Sequence, residues 1–418
     1  MTVRPMSDQP MSDVEASPSI PRRVLFVQTS MPVGGAETLL VNLVERLDRD
    51  HFDPEVVCLI DPGPLGEHLL DEGYAVHSGF LAGKYDLRVL PRLVSLMRRR
   101  DYAAVVTVGA GDKMFWGRLA ARIAGVPVVG AARHSTGWPD GVGRLNRLLT
   151  PITDAVIAVA DPHGRFLVEH ERFPADRVHV IPNGVDTARF APLPDGGPLR
   201  ADLGLTPATP LVGILAALRP EKNHELFLSM AARVRRAVPD AHFIVIGDGP
   251  RRGPLEALAA ELGLTAEGQP PVVHFLGSRK DVPDVVGSLD VLTLTSHNEA
   301  SPVSILEAMS CGVPVVATDV GSVSASVIDG QTGSVTPPGD EPALAERVTS
   351  LLQQPLTARA WGAAGRARVI ESASLEVMVR GYEELLAERF RQKTGQPWRV
   401  TRALAAAPEP ASADAAAV

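Results

Sequence analysis

Cysteine is almost absent from this chain, which has only Cys58 and Cys311 in 418 residues. Two cysteines that lie so far apart provide neither a disulfide framework nor a metal cluster, and such usage is typical of a reducing cytosol. Uninterrupted apolar runs of about 18 residues, which a membrane-spanning helix needs, are also absent. Residues 1–20 contain three acidic residues and no apolar segment of the kind found in secretory signals. The sequence therefore predicts a cytoplasmic protein without a membrane span.

Positive charge is scarce as well, because 41 lysines and arginines stand against 49 aspartates and glutamates, a formal net charge of −8. Nucleic-acid-binding proteins present an excess of positive charge, so this balance argues against a nucleic-acid partner. The basic cluster at residues 98–100 ends a predicted helix, where positive charge complements the helix dipole. The alternative is peripheral docking of this cluster at the inner face of a membrane, which would suit an acceptor carried on a lipid.

Apolar residues make up 45% of the chain, ample for the cores of two or three domains. Short runs rich in β-branched residues alternate with amphipathic helical stretches, and this alternation predicts α/β domains with doubly wound parallel sheets. Residues 191–200, rich in proline and glycine, predict a linker between two such domains, 24–190 and 201–372. Residues 1–23 and 401–418 lack periodicity and are predicted to be a disordered leader and tail.

The stretch from Asp290 to Asp319 predicts a strand, a turn, a helix and a second strand. Ser301 suits the N-cap of this helix, Pro302 suits its first position, and Gly312 suits its end. Units of this kind build parallel sheets, whose ligands bind outside the carboxyl ends of the strands. The turn before the helix is therefore a predicted ligand site.

Two kinds of group surround the start of this helix. The free backbone N–H groups of Val303 and Ser304, together with the positive helix end, favour a phosphate. Glu299 in the turn and Glu307 inside the helix are carboxylates, which only accept hydrogen bonds and match the paired hydroxyls of a sugar or ribose. The alternative is that Glu307 forms a capping box with Ser304 while Glu299 is merely solvated.

Three other loops follow predicted strands. The paired Gly34 and Gly35 let the backbone approach a ligand closely, although an ordinary tight turn is the alternative. His134 is placed to donate a hydrogen bond to a sugar hydroxyl or to transfer a proton, although a lone histidine is more often structural. Arg219 and Lys222 are two cations suited to a diphosphate. A helix start disfavours positive charge, so an anion would have to compensate them.

One further loop supports a different function. The segment from Gly247 to Gly253 is similar to a dinucleotide-binding glycine loop and makes an NAD-dependent oxidoreductase an alternative. Its third glycine falls one residue late and Pro250 interrupts it, so the signal is weak.

Taken together, these motifs resemble the GT4 family of retaining glycosyltransferases. The resemblance covers about Val24 to Arg391, and four motifs carry it: Gly-Gly-Ala-Glu at 34–37, Asn-Gly-Val-Asp at 183–186, Arg-Pro-Glu-Lys at 219–222 and Glu-x7-Glu at 299–307. It implies the GT-B fold, in which two Rossmann-like domains face each other across a cleft. It also implies that a C-terminal helix, residues 373–400, packs back on the N-terminal, acceptor-side domain.

The family resemblance implies an enzyme that moves a sugar, expected to be a hexose, from a UDP- or GDP-sugar to an acceptor hydroxyl with retention of configuration. The expected acceptor is a glycan or a lipid-linked molecule, in glycan, cell-surface polysaccharide or glycolipid synthesis. Glu299 and His134 would contact the donor sugar, and Glu307 would hold the ribose. The groups expected to meet the diphosphate are Gly34, Gly35, Arg219, Lys222, Ser301, Pro302, Val303 and Ser304. Those expected at the nucleotide base are Arg279, Asp281 and Val282.

No metal or other cofactor is implied by the resemblance, since the cations and the helix end already face the diphosphate. The motif Asp48-Arg-Asp50 matches the Asp-x-Asp of metal-dependent transferases, but it lies between a helix and a strand and predicts a surface turn. Three positions, Ala160, Ala217 and Ala325, depart from the serine, arginine and glutamate common in the family. Ala325 and Ala160 leave a non-catalytic relative that binds nucleotide sugars as a second alternative, whereas Ala217 makes Lys222 a firmer match to the family than Arg219.

Overall fold

The computed structural model describes residues 20–83, 86–109, 111–134, 147–265, 268, 270–398 and 400. The predicted leader up to residue 19 and the predicted tail lie outside the described residues. The first strand begins at Arg22, two residues earlier than the apolar run at Val24 predicted.

Two parallel sheets organise the chain. The strands of the first are β1 (Arg22–Gln28), β2 (Phe52–Cys58), β3 (Ala75–His77), β4 (Ala104–Val108), β5 (Val128–Ala132), β6 (Ala155–Ala158) and β7 (Val178–Val180). Its order is β3-β2-β1-β4-β5-β6-β7. The strands of the second are β8 (Leu211–Leu215), β9 (His242–Ile246), β10 (Val273–Gly277), β11 (Val291–Leu294), β12 (Val315–Thr318) and β13 (Gly333–Thr336). Its order is β10-β9-β8-β11-β12-β13.

Helices connect these strands, as parallel pairing requires. Those before β8 are α1 (Gly35–Arg46), α2 (Gly63–Asp71), α3 (Val89–Arg100), α4 (Asp112–Ala124), α5 (Asp161–Glu169) and α6 (Leu199–Asp202). Those after β8 are α7 (His224–Ala237), α8 (Arg252–Glu261), α9 (Val282–Gly287), α10 (Val303–Ser310), α11 (Val323–Ser326), α12 (Glu341–Gln353), α13 (Pro355–Ser372) and α14 (Leu375–Thr394). Among these described helices, none combines the length and the hydropathy needed to cross a bilayer.

Each sheet is covered by helices on both faces, which explains why its strands are apolar along their whole length. In β1, Val24 and Phe26 face a core shared with α1 and α14, whereas Leu25 and Val27 face a second core shared with α3 and α4. The second sheet is likewise buried between two clusters. The prediction of two doubly wound α/β domains is confirmed.

The two halves of the chain are joined at several places near residue 185. Val185 pairs as an isolated bridge with Ser374, directly before α14. The guanidinium of Arg366 donates hydrogen bonds to the carbonyl oxygens of Phe190 at 3.1 Å and Thr187 at 3.3 Å, so α13 holds the connecting segment. Helix α14 then packs an apolar face that includes Tyr382 on the first sheet.

The loop at Gly247 owes its glycine to packing within the domain. Its φ is 133°, a value that side chains rarely adopt, and a Cβ there would lie 2.1 Å from the carbonyl oxygen of Ala216. The loop is therefore pressed against the segment after β8, without room for a dinucleotide at that glycine. This packing favours the close-packed turn over the oxidoreductase alternative.

A buried carboxylate ties together several elements of the first domain. The side chain of Glu55 is 1% exposed and accepts hydrogen bonds from Tyr102 at 2.5 Å, from Arg100 at 2.6 Å and from His77 at 2.8 Å. Burial alone would raise the pKa of Glu55, but the hydrogen bonds from His77, Tyr102 and Arg100 outweigh it and lower the pKa to about 2. The charged form is therefore the one that the fold stabilises.

We expect the Glu55→Gln variant to lose about 3 kcal/mol of unfolding free energy at neutral pH, because the variant breaks a buried ion pair. In the wild-type protein this contribution should disappear as the pH falls from 4.5 towards about 2, since the unfolded carboxyl takes up its proton first. Urea denaturation at a series of pH values measures both effects. The control is Glu256→Gln, which removes an exposed pair with Arg252 and should cost less than about 1 kcal/mol. Equal stability of the Glu55 and Glu256 variants would contradict the assignment.

Candidate functional site

The candidate residues lie where predicted, in loops that follow the carboxyl ends of parallel strands. Gly34 and Gly35 follow β1, His134 follows β5, and Lys222 follows β8. Glu299 lies between β11 and α10. The two sheets therefore present these loops towards the region where the halves of the chain meet.

An ion pair joins the loops after β8 and β11. Nζ of Lys222 lies 2.6 Å from Oε1 of Glu299, and Oγ of Ser296 donates to the same oxygen at 2.7 Å. The side chains of Lys222 and Glu299 are 24% and 9% exposed, so the pair sits at the edge of solvent. An ammonium has three donors and a carboxylate has two oxygens, so both groups keep free capacity for a ligand.

Backbone contacts hold this pair in place. Oγ1 of Thr295 donates to the carbonyl oxygen of Lys222 at 3.1 Å, and the amide of His297 donates to the carbonyl oxygen of Glu221 at 2.9 Å. Gly321 supports the other side, because a Cβ at this residue would lie 1.6 Å from the carbonyl oxygen of Glu299 and its φ is 58°. The two loops are therefore fixed relative to each other before any ligand binds.

Arg219 is placed differently from its predicted partner in the clamp. Its side chain is exposed and makes no hydrogen bond or ion pair with any residue that the structure describes. Lys222 lies in the 3₁₀ turn Pro220–Lys222, and Arg219 precedes that turn. The structure thus brings Lys222 to Glu299 and leaves Arg219 free at the mouth of the same loop.

The helix after Glu299 begins one residue later than predicted. Helix α10 spans Val303–Ser310 with Pro302 as its N-cap, and no side chain caps its first turn. Ser301 is therefore not the N-cap, because Pro302 keeps an extended ψ of 119° and stands outside the helix. The capping box with Ser304 is not formed either, so the first amides stay open to a ligand. Gly312 ends the helix as predicted, with a φ of 73°.

The start of α10 lies against the glycine loop of the other domain. An ideal Cβ at Gly35 would be 3.9 Å from Cγ2 of Val303, and Val303 packs on the core of the first domain. Across the same junction, Nδ2 of Asn183 donates to the carbonyl oxygen of Ser301 at 2.8 Å. The sequence placed Asn183 in the Asn-Gly-Val-Asp motif and in a turn but gave it no contact at the site. Its position in the loop after β7, on the carboxyl side of the sheet, is the signal that was missed.

His134 and Glu307 have shifted pKa values in opposite directions. The pKa of His134 is lowered to about 4, mainly by burial and next by the charge of His163. A hydrogen bond with Asn183 opposes this shift. Burial raises the pKa of Glu307 to about 7, and the charge of Arg189 opposes this shift. At neutral pH His134 is therefore an uncharged donor, whereas Glu307 is poised between its two forms.

Arg279 and Asp281 bind each other in the loop after β10. The guanidinium donates two hydrogen bonds to the carboxylate, at 2.8 Å and 2.5 Å. Asp281 is also the N-cap residue of α9, which begins at Val282. The expectation that this loop contacts the nucleotide base stays a prediction.

Potential metal ligands do not cluster in the part of the chain that the structure describes. No three side chains of histidine, cysteine, aspartate or glutamate converge there on a common point. Asp48 and Asp50 lie in a surface turn, where the Asp48 carboxylate accepts a hydrogen bond from the Asp50 amide at 3.1 Å. The expectation of a metal-free reaction remains an expectation.

Two parallel-sheet α/β domains, with candidate ligand-binding loops after the carboxyl ends of their strands, are the architecture of the GT-B class of glycosyltransferases. Residues 33–189 match the family model described as Glycosyltransferase Family 4, and residues 198–368 match the model described as Glycosyl transferases group 1. The chain belongs to this GT4-type family and is a glycosyltransferase.

Known proteins agree with this assignment. The chain is 28% identical over 388 residues to the GDP-mannose-dependent alpha-(1-6)-phosphatidylinositol monomannoside mannosyltransferase of Mycolicibacterium smegmatis, covering 88% of this chain and 98% of that protein. It is 31% identical to the alpha-D-kanosaminyltransferase of Streptomyces kanamyceticus, over 62% of this chain and 70% of that protein. The crystal structure of HepE from Anabaena with UDP and glucose shares the fold, with a TM-score of 0.76, 23% identity, and coverage of 87% of this chain and 98% of that one.

Glu307 should make donor binding depend on pH. Ribose hydroxyls donate to a carboxylate, so protonation of a group with a pKa of about 7 should weaken nucleotide-sugar binding. We expect about tenfold weaker binding at pH 6 than at pH 8. Calorimetric titration with the nucleotide sugar that binds this protein measures the affinity at each pH. The diphosphate of such a donor does not titrate between pH 6 and pH 8, so a change in affinity reports on the protein. In the Glu307→Gln variant the affinity should not depend on pH, whereas the exposed control Glu376→Gln should behave like wild type. Equal wild-type affinity at both pH values would refute the contact of Glu307 with the ribose.

Proposed function

We propose that this glycosyltransferase transfers a hexose from a UDP- or GDP-sugar to an acceptor hydroxyl with retention at the anomeric carbon. The Lys222–Glu299 pair, set beside the open start of α10, is the observation that carries this proposal. Glu299 orients the ammonium through one oxygen, so the remaining N–H groups of Lys222 are available to the diphosphate. The second oxygen of Glu299 is available to a sugar hydroxyl.

In the reaction, the bond between the anomeric carbon and the diphosphate oxygen breaks, and its electron pair goes to the diphosphate. Four groups are proposed to stabilise this developing charge: Lys222, Arg219, the amides at the start of α10 and the backbone at Gly34–Gly35. Lys222 is already held by Glu299, which reduces the rearrangement needed during bond breaking. The arrangement therefore supplies charge stabilisation without a metal ion.

The acceptor oxygen is proposed to attack the face of the sugar that the diphosphate leaves, passing its proton to a phosphate oxygen. A double displacement would instead need a carboxylate nucleophile under the ring. Glu299 is poorly suited to that role because Lys222 and Ser296 already bind one of its oxygens. His134, neutral and of low pKa, is a weak base but can donate an N–H to a sugar hydroxyl.

The acceptor is proposed to be a glycan or a lipid-linked molecule, bound on the side of the first domain. The mycobacterial relative is named for a phosphatidylinositol mannoside acceptor, which supports a glycolipid. The same relative is named for GDP-mannose, whereas HepE is described with UDP and glucose, so both nucleotides are candidates for the donor. An acceptor of this kind would place the protein in the cytoplasm, in peripheral contact with the inner face of the membrane.

Replacing Lys222 tests the diphosphate clamp. We expect Lys222→Met to lower kcat by about 10²–10³, the usual effect of removing one preorganised donor at a developing charge. The melting temperature should change little, because an ion pair at the edge of solvent contributes about 1 kcal/mol or less. The control is Lys393→Met. Lys393 lies in the last helix and pairs with Asp154, so this variant also removes a paired lysine but should keep full activity. Near-normal turnover of the Lys222 variant would refute the clamp.

The stereochemical outcome tests retention. With an α-configured nucleotide sugar, the product should carry an α-linkage, which the coupling constant of the anomeric proton in the NMR spectrum reports. A thermal-shift screen first finds the donor, because a ligand at 100 times its Kd stabilises a protein by about 2.7 kcal/mol. A panel of glycan and lipid-linked acceptors is then tested with that donor to obtain the product. A β-linked product would show that the acceptor attacks from the opposite face.

A further inference from the structure

A lysine in the first domain faces the same edge of its sheet as Gly34 and His134 but has no part in the clamp. Lys113 lies in the first turn of α4, and its Nζ is 2.5 Å from Oε1 of Gln28, the last residue of β1. In the part of the chain that the structure describes, Lys113 forms no ion pair. Burial lowers the pKa of Lys113, and the charge of Glu37 opposes this shift.

The partner of this lysine is also incompletely bonded. Gln28 is fully buried, and its Nε2 has no hydrogen-bond partner among the described residues. The orientation of the amide is set by Lys113, because an ammonium can only donate and must therefore meet the amide oxygen. An amide nitrogen and an ammonium, both with unused hydrogen atoms, consequently stand side by side.

Among the side chains that the structure describes, no anion or further acceptor meets this pair of donors. A partly buried cation is unfavourable unless an anion or several acceptors compensate it. The position adds to the imbalance, because the start of a helix already carries partial positive charge and no described side chain caps α4. Two donors and a helix start form an arrangement that suits a phosphate group.

The location separates this group from the donor clamp. Lys113 lies on helix α4 of the first domain, near enough to His134 for its charge to affect that histidine, whereas Lys222 lies in the loop after β8 of the second domain. The donor diphosphate is already provided for by Lys222 and the start of α10. An anion at Lys113 would therefore lie on the acceptor side of the reacting sugar.

We propose that Lys113 and Gln28 bind a phosphate group of the acceptor. This inference rests on the proposed function, since it assigns one chemical feature to the acceptor of that reaction. A sugar phosphate and a lipid-linked diphosphate both carry such a group. The pair would hold the acceptor by this phosphate while its hydroxyl meets the donor sugar.

The test uses the full chain saturated with the nucleoside diphosphate that binds it, so that the donor site is filled, and inorganic phosphate as the probe. Calorimetric titration should detect phosphate binding to the wild type and to the control Lys393→Met. In Lys113→Met we expect phosphate affinity to fall about tenfold or more, the effect of losing a charge-assisted hydrogen bond. The affinity for the nucleoside diphosphate should stay unchanged in this variant, and Lys113→Arg should recover part of the phosphate binding.

Two outcomes would overturn the inference: no phosphate binding to the saturated wild-type protein, or equal phosphate affinity in Lys113→Met. Neither outcome would affect the proposed function, which instead fails if Lys222→Met keeps normal turnover. Competition then identifies the source of the phosphate. Displacement of the probe by a glycosyl phosphate indicates a soluble acceptor, displacement by a short polyprenyl diphosphate indicates a lipid-linked one, and a neutral methyl glycoside should displace nothing.

Discussion

A positive charge held at the junction of two parallel sheets is the constraint on which the rest of the site depends. Lys222 could not stay near the start of a helix without compensation, and Glu299 provides it at 2.6 Å. The pair uses one oxygen of the carboxylate and one donor of the ammonium, so both groups keep unused hydrogen-bonding capacity. That remaining capacity is what the proposed diphosphate and sugar contacts would use.

The fold supplies this arrangement through elements that contribute nothing to the chemistry directly. Gly321 allows the Glu299 loop to pack closely, and Arg366 holds the segment that connects the two domains. Asn183 ties the first domain to the carbonyl oxygen of Ser301, one residue before the N-cap of α10. A small displacement at any of these contacts would change the distance between the lysine, the helix start and the glycine loop.

The sequence predicted the doubly wound sheets and the strand-end loops because both depend on local patterns of apolar residues and turns. It predicted the start of α10 one residue too early, since a serine before a proline is a good N-cap on average, but Pro302 here keeps an extended backbone. The orphan amide of Gln28 could not be predicted. Its place at the end of a buried strand looked like ordinary core, and only the three-dimensional structure brings Lys113 to it.

The two domains each contribute one group with a shifted pKa, His134 from the first domain and Glu307 from the second. His134 is held neutral by burial, and Lys113 and Arg133 are cations close enough to lower its pKa further. Burial raises the pKa of Glu307 to about 7, so at neutral pH only part of the population carries the carboxylate charge. Hydroxyl donors from a ribose would favour the ionised form and release a proton. Donor binding would thus add negative charge at Glu307, inside α10. The cation at Lys222 and the dipole of α10 would then have to offset this charge as well as the charge of the departing diphosphate.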